Sequence, residues 1–125
     1  MLKKGFSLVE ILIAVTIMAI VAGGAMVLYT NYEKQARRKT TVTSLRTVKG
    51  AIEAYHSDAS KYPGKLQDLV TKPKDVDAED WMQHFSKVPV DAWKQPFRYK
   101  LTKDGYELWS VPPKAKSQAE WIRSK

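Results

Sequence analysis

Cysteine is absent from the 125 residues, which excludes disulfide staples, thiolate zinc sites and a cysteine nucleophile together. Histidine is scarce, with only His56 and His84, so imidazole chemistry is thinly supplied. Acidic residues are short as well: 13 stand against 21 lysines and arginines, a net charge of +8. That balance raises nucleic acid or an anionic membrane as partners. No Walker loop, dinucleotide motif or Ser–His–Asp spacing occurs, and an enzyme is not expected. What remains, 44% hydrophobic and 27% charged, describes one small domain rather than a disordered chain or a multi-span membrane protein.

The charges are unevenly placed. From Ile11 to Tyr32 there are 22 residues and none is charged. As a helix the run is about 33 Å long, enough to cross a hydrocarbon core of about 30 Å. Only Thr16, Thr30 and Asn31 interrupt its apolar character, so no polar stripe exists for a soluble surface. A membrane helix is expected. Before it stands a basic stub, Met1-Leu2-Lys3-Lys4-Gly5, and no small-x-small cleavage site fits well at the end of the apolar run, which passes smoothly into more helix-forming sequence. A cut between Gly5 and Phe6 would instead remove the stub and keep the helix. Glu10 sits at the edge of the run, where an unpaired buried carboxylate costs about 3 kcal/mol. Two readings stay open: an interfacial glutamate, or one that pairs with a cation when helices pack. A cut after Gly5 would create such a cation, the Phe6 amine, four residues away and on each neighbouring chain.

Lys3-Lys4-Gly5-Phe6-Ser7-Leu8-Val9-Glu10, followed by the apolar helix, resembles the leader of type IV pilins and type II secretion pseudopilins. The resemblance implies that a membrane prepilin peptidase cuts after Gly5, that Phe6 is N-methylated, and that Glu10 sets assembly register. Lysine and arginine counting alone would place the C-terminal side in the cytoplasm, because Lys34, Arg37, Arg38 and Lys39 follow the span. The leader motif, being more specific, places the N-terminus there.

Beyond the span, Val42, Leu45, Val48, Ile52 and Tyr55 keep helical spacing, with Arg46, Lys49 and Glu53 opposite. No proline occurs before Pro63, so one helix is expected from about Ser7 to Ser57, roughly 75 Å. Gly23-Gly24 is either a soft point in it or a small-residue packing face. Tyr62-Pro63-Gly64 breaks it, and Leu66, Leu69 and Val70 predict a short second helix ending near Pro73. The acidic run Asp75–Asp80 fails as a calcium loop, since Asp80 replaces the glycine and Ser86 the final glutamate. It reads as a solvated loop. Strands are expected over Phe97–Leu101 and Tyr106–Val111, turning at Asp104-Gly105 and packing on the amphipathic helix. His56 reads as an exposed or interfacial residue rather than a ligand, and Trp93 and Tyr99 as core. The predicted fold is α+β: a long N-terminal helix on a small antiparallel sheet, with a short second helix.

The head carries a narrower resemblance. Tyr62-Pro63, Pro89-x-Asp91-x-Trp93-x-x-Pro96-x-x-Tyr99 and Gly105-Tyr106-x-x-x-Ser110 are similar to the major pseudopilins of type II secretion, which read Asp-Pro-Trp-Gly-x-Pro-Tyr there. Cysteine absence agrees, because many type IV pilins close a C-terminal loop with a disulfide. The resemblance implies a type IV pilin-like fold and a structural calcium after the last serine. Here Ser110 is followed by Val111-Pro112-Pro113-Lys114-Ala115-Lys116, a poor ligand set, and neither metal nor cofactor is expected. Ser117-x-x-Glu120 predicts a capping box and a short terminal helix that docks Trp121 and Ile122.

These readings divide the chain into a leader (1–5), a membrane and filament-core helix (6–32) and a periplasmic head (33–125). The expected function is that of a structural subunit whose helices polymerise into a periplasmic pseudopilus that drives protein export. The alternatives are a pilus or competence pilin binding DNA or surfaces, and a single-pass membrane sensor. A sensor needs no Gly-Phe processing site. Beyond Tyr32 there are 19 basic and 12 acidic side chains, net +7, scattered apart from Arg37-Arg38-Lys39, and nucleic acid is not expected. Implied partners are the chain itself, the prepilin peptidase, minor pseudopilins, an inner-membrane assembly platform and membrane lipid before extraction. The implied location is a single pass of the inner membrane, N-terminus in the cytoplasm.

Overall fold

A computed structural model describes residues 5–124. Helix α1 runs Leu8–Ala59, close to the expected span. Ser60 ends it in the left-handed region, with φ 57°, a common helix stop that usually takes glycine. Two compact units share the chain, Met1–Ala36 and Arg37–Lys125.

In the first unit every described side chain is exposed, the large hydrophobic ones from Ile11 at 51% to Leu8 and Phe6 at 84%. α1 is long and apolar enough to cross a membrane, and none of the qualifying stretch is buried. Its two threonine hydroxyls are already spent. Thr16 Oγ1 donates to the Leu12 carbonyl at 2.7 Å and Thr30 Oγ1 to Val27 at 2.9 Å. Hydrocarbon therefore meets no unsatisfied threonine hydroxyl along this segment.

The second unit is built on the other half of α1. Thr41, Leu45, Val48, Ala51, Ile52 and Tyr55 are buried, the face that the apolar spacing indicates. Against it packs a three-stranded antiparallel sheet in the order β1 (Arg98–Thr102), β2 (Gly105–Ser110), β3 (Ile122–Arg123). Tyr99 faces Leu108 across β1 and β2, and Leu108 and Ser110 point inward, as alternation requires. Leu69, Val76, Phe97 and Ile122 complete a core that lies wholly within this unit. Burial raises the Tyr99 phenol above the ordinary tyrosine range while its hydroxyl donates to the Pro63 carbonyl at 2.6 Å. Tyr106 is raised likewise by burial and by its bond to Glu53. His56 stacks on Tyr62, with ring centroids 4.2 Å apart.

Three expectations need correction. The hairpin turn is Lys103-Asp104, and Gly105 already opens β2 opposite Thr102. Gly105 has φ 154°, a backbone that disfavours side chains, so the glycine is required one position later than the dipeptide signal implies. The second helix is a single 3₁₀ turn, Leu66–Leu69. Its Asp68 carboxylate turns back to accept the Gly64 and Lys65 amides, which tightens the segment. The terminal helix is likewise only a 3₁₀ turn, Gln118–Glu120, and the chain then becomes β3. Glu120 accepts the Lys116 amide, and Ser117 makes no side-chain cap. Nonlocal burial outweighs the local cap: Ile122 is 4% exposed and Trp121 stacks on Trp109 at 5.9 Å.

Candidate functional site

The N-terminal end carries the processing and register candidates. Gly5, Phe6 and Ser7 precede α1 outside any regular element, and Phe6 is open to solvent. A side chain built on Gly5 would meet nothing within 4 Å. The fold itself has no need of glycine there. Ser7 Oγ accepts the Glu10 amide at 3.2 Å, and the Ser7 amide donates to Glu10 Oε2 at 3.4 Å. This is a reciprocal capping box, which also sets a negative charge at the positive end of the helix dipole. Ser-x-x-Glu is legible at Ser7 and Glu10 by the same rule that was applied to Ser117 and Glu120. Side chains built on Gly23 and Gly24 also meet nothing within 4 Å.

In the head, the segment before β1 is tied by Asp91, 4% exposed. Its Oδ1 accepts the amides of Trp93 and Gln95 at 3.0 and 2.9 Å, and its Oδ2 accepts the Ser110 hydroxyl at 2.8 Å. The Ala92 amide donates to Thr41 Oγ1 at 3.2 Å, and Arg37 donates to the Ala92 carbonyl at 3.3 Å. Asp91 thus joins the loop to β2, and Ala92 joins it to α1. Spacing marks Asp91 and Ser110 as separate motif positions, but only the fold brings them together.

Lys94 closes this loop with φ 60°, in the left-handed region, where the similar motif carries glycine. A side chain held there costs about 1 kcal/mol or more. Lys94→Gly should therefore raise the melting temperature of the Arg37–Lys125 fragment by roughly 4–8 °C. An unchanged or lower value in a thermal melt would mean that the lysine side chain offsets its backbone.

The calcium implied by resemblance has no matching donors. After Ser110 the chain runs through two prolines and two lysines, and the Ala115 amide closes a turn on the Pro112 carbonyl. Both oxygens of Asp91, the buried carboxylate beside Ser110, already serve three donors. Among the described residues no three His, Cys, Asp or Glu side chains gather. A hard cation wants six to eight oxygens, and these residues do not fit it.

A family model described as "Type II secretion system (T2SS), protein G" matches residues 28–121, and one described as "Prokaryotic N-terminal methylation motif" matches residues 1–26. Type II secretion system core protein G of Pseudomonas aeruginosa is 28% identical over 117 residues, 87% of this chain and 82% of that protein. Its counterpart in Xanthomonas campestris pv. campestris is 31% identical over 108 residues, 82% of this chain and 72% of that one. In fold, the chain is similar to the crystal structure of the major pseudopilin from the type 2 secretion system of enterohaemorrhagic Escherichia coli. The TM-score is 0.61 at 20% identity, covering 76% of this chain and 91% of that one.

Proposed function

Because the chain belongs to the type II secretion system protein G family, we infer that it is a structural subunit of a type II secretion pseudopilus. The observation that carries this reading is the half-helix of uncharged, fully exposed side chains ahead of a head with its own core. Lipid covers those side chains first, with the N-terminus in the cytoplasm and the head in the periplasm. An inner-membrane assembly platform then extracts the subunit, and neighbouring helices replace lipid around Ile11–Leu28. Growth of the filament, together with minor pseudopilins, pushes exported proteins outward.

The prepilin peptidase acts before assembly, cutting after Gly5 so that Phe6 becomes the methylated N-terminus. The empty surroundings of Gly5 support this, since the demand for glycine then comes from an outside protein that needs bare extended backbone. Glu10 neutralises the Phe6 amine of an adjacent subunit and fixes axial register. Gly5→Leu should leave an uncut, higher band in membranes that process the normal chain. Cleavage at the normal rate would remove the peptidase from this account.

The head needs no structural calcium, and β3 with the Trp109–Trp121 stack fastens its C-terminal end instead. EDTA should leave the melting temperature unchanged, whereas deleting Ser117–Lys125 should lower it by on the order of 10 °C through loss of buried Ile122. A large EDTA effect would overturn the metal-free reading.

A further inference from the structure

The head is electrically polarised along α1. A groove of about 690 Å³ lies between α1 and the C-terminal segment and is bordered by Arg38, Arg46, Lys49 and Arg123, with Trp121 and Ile122 at its base. Its lining includes no carboxylate among the described residues. Arg123 lies over the Trp121 ring at 5.6 Å, a cation held on a rigid apolar floor. At the other end of the head, just past Ala59, Lys61 pairs with Asp75 and so pins the acidic loop to the helix end. Asp77, Glu79 and Asp80 of that loop are exposed and have no side-chain partner among the described residues. From Arg46 to Ala59 is about 20 Å along the helix.

A positive groove and a negative loop at opposite ends of one head suit two copies displaced along α1. Each copy then offers its loop to one neighbour and its groove to another. Such a heterologous contact does not close on itself, so it propagates as a filament rather than stopping at a dimer. We propose that the Arg38–Arg46–Arg123 groove receives the Asp77–Asp80 loop of another copy, a head-to-head contact distinct from helix packing. This rests on the filament reading and deepens it. Charge complementarity selects register and partner while contributing less to raw affinity, which suits a contact that only has to steer subunits already gathered by their helices.

The absence of cysteine makes the test clean. Full-length Arg46→Cys/Glu79→Cys chains are assembled in cells carrying the secretion machinery, and sheared filaments are treated with a short bismaleimide. A ladder of dimer, trimer and higher bands is expected, absent from either single variant. In parallel, Arg46→Glu and Glu79→Arg should each cut filament mass at least about fivefold, and the combined swap should restore it to within about twofold. Filaments that form normally yet give no ladder would overturn the contact and leave the pseudopilus reading intact. Absence of filaments from the unmodified chain would overturn both. Loss of binding to phosphatidylglycerol vesicles in Arg46→Glu, with Glu79→Arg assembling normally, would assign the groove to lipid and end the proposal.

Discussion

Replacing Glu10 with leucine should leave the chain in the membrane fraction and lower filament yield by at least about 100-fold. Breaking one partner of a buried ion pair costs about 3–5 kcal/mol, and each 1.4 kcal/mol is tenfold in an equilibrium. The capping box adds a second role for the same residue, because Glu10 also binds the Ser7 amide of its own helix. Glu10→Gln separates the two. Glutamine keeps the cap, since the box accepts either residue, but loses the charge proposed to meet the Phe6 amine. If register depends on charge, the glutamine variant should fail to assemble almost as completely as leucine. Filaments at normal yield from Glu10→Gln, counted in sheared fractions, would reduce Glu10 to a helix cap.

The largest effect on the head should come from Asp91. Asp91→Ala strands the Trp93 and Gln95 amides and the Ser110 hydroxyl, the last fully buried. Hydrogen bonds to a charged group contribute about 1.5–3 kcal/mol each, and unsatisfied buried partners add their own penalty. Their effects overlap, so about 3–5 kcal/mol is expected, a fall of roughly 12–40 °C for a domain of this size. Asp91→Asn should cost much less. Its amide oxygen can keep both backbone donors while its nitrogen donates to the Ser110 hydroxyl. Equal losses in the two variants, measured by thermal melts of the Arg37–Lys125 fragment, would mean that the carboxylate charge rather than the bond count holds the loop.

Much of this molecule is local and therefore legible. A run of 22 uncharged residues can be read because each residue must tolerate hydrocarbon by itself. The buried face at Leu45, Val48, Ile52 and Tyr55 is legible because the helix repeat places those positions together regardless of what covers them. The hairpin was visible to within one residue for the same reason, since turn geometry depends on a few adjacent φ angles. Ser7 and Glu10 also obey a short-range rule, the capping box.

The tail shows where local rules stop. Ser117 and Glu120 have the spacing of a helix start, yet the segment becomes a 3₁₀ turn and then β3. A three-residue turn gains little from propensity, whereas burying Ile122 and stacking Trp121 on Trp109 gains more. Neither Leu108 nor Trp109 is near the tail in sequence, so no pattern within the tail announces them. The same holds for Asp91 and Ser110, 19 positions apart, and for the groove that gathers Arg38, Arg46 and Arg123. By itself the sequence determined the long apolar segment and the covered face of the helix, because those follow from properties of neighbouring residues. Only the tertiary structure decided the third strand, the Asp91 tie and the polarity of the head. Each is a contact between distant segments, stabilised by burial that exists only once the chain has folded.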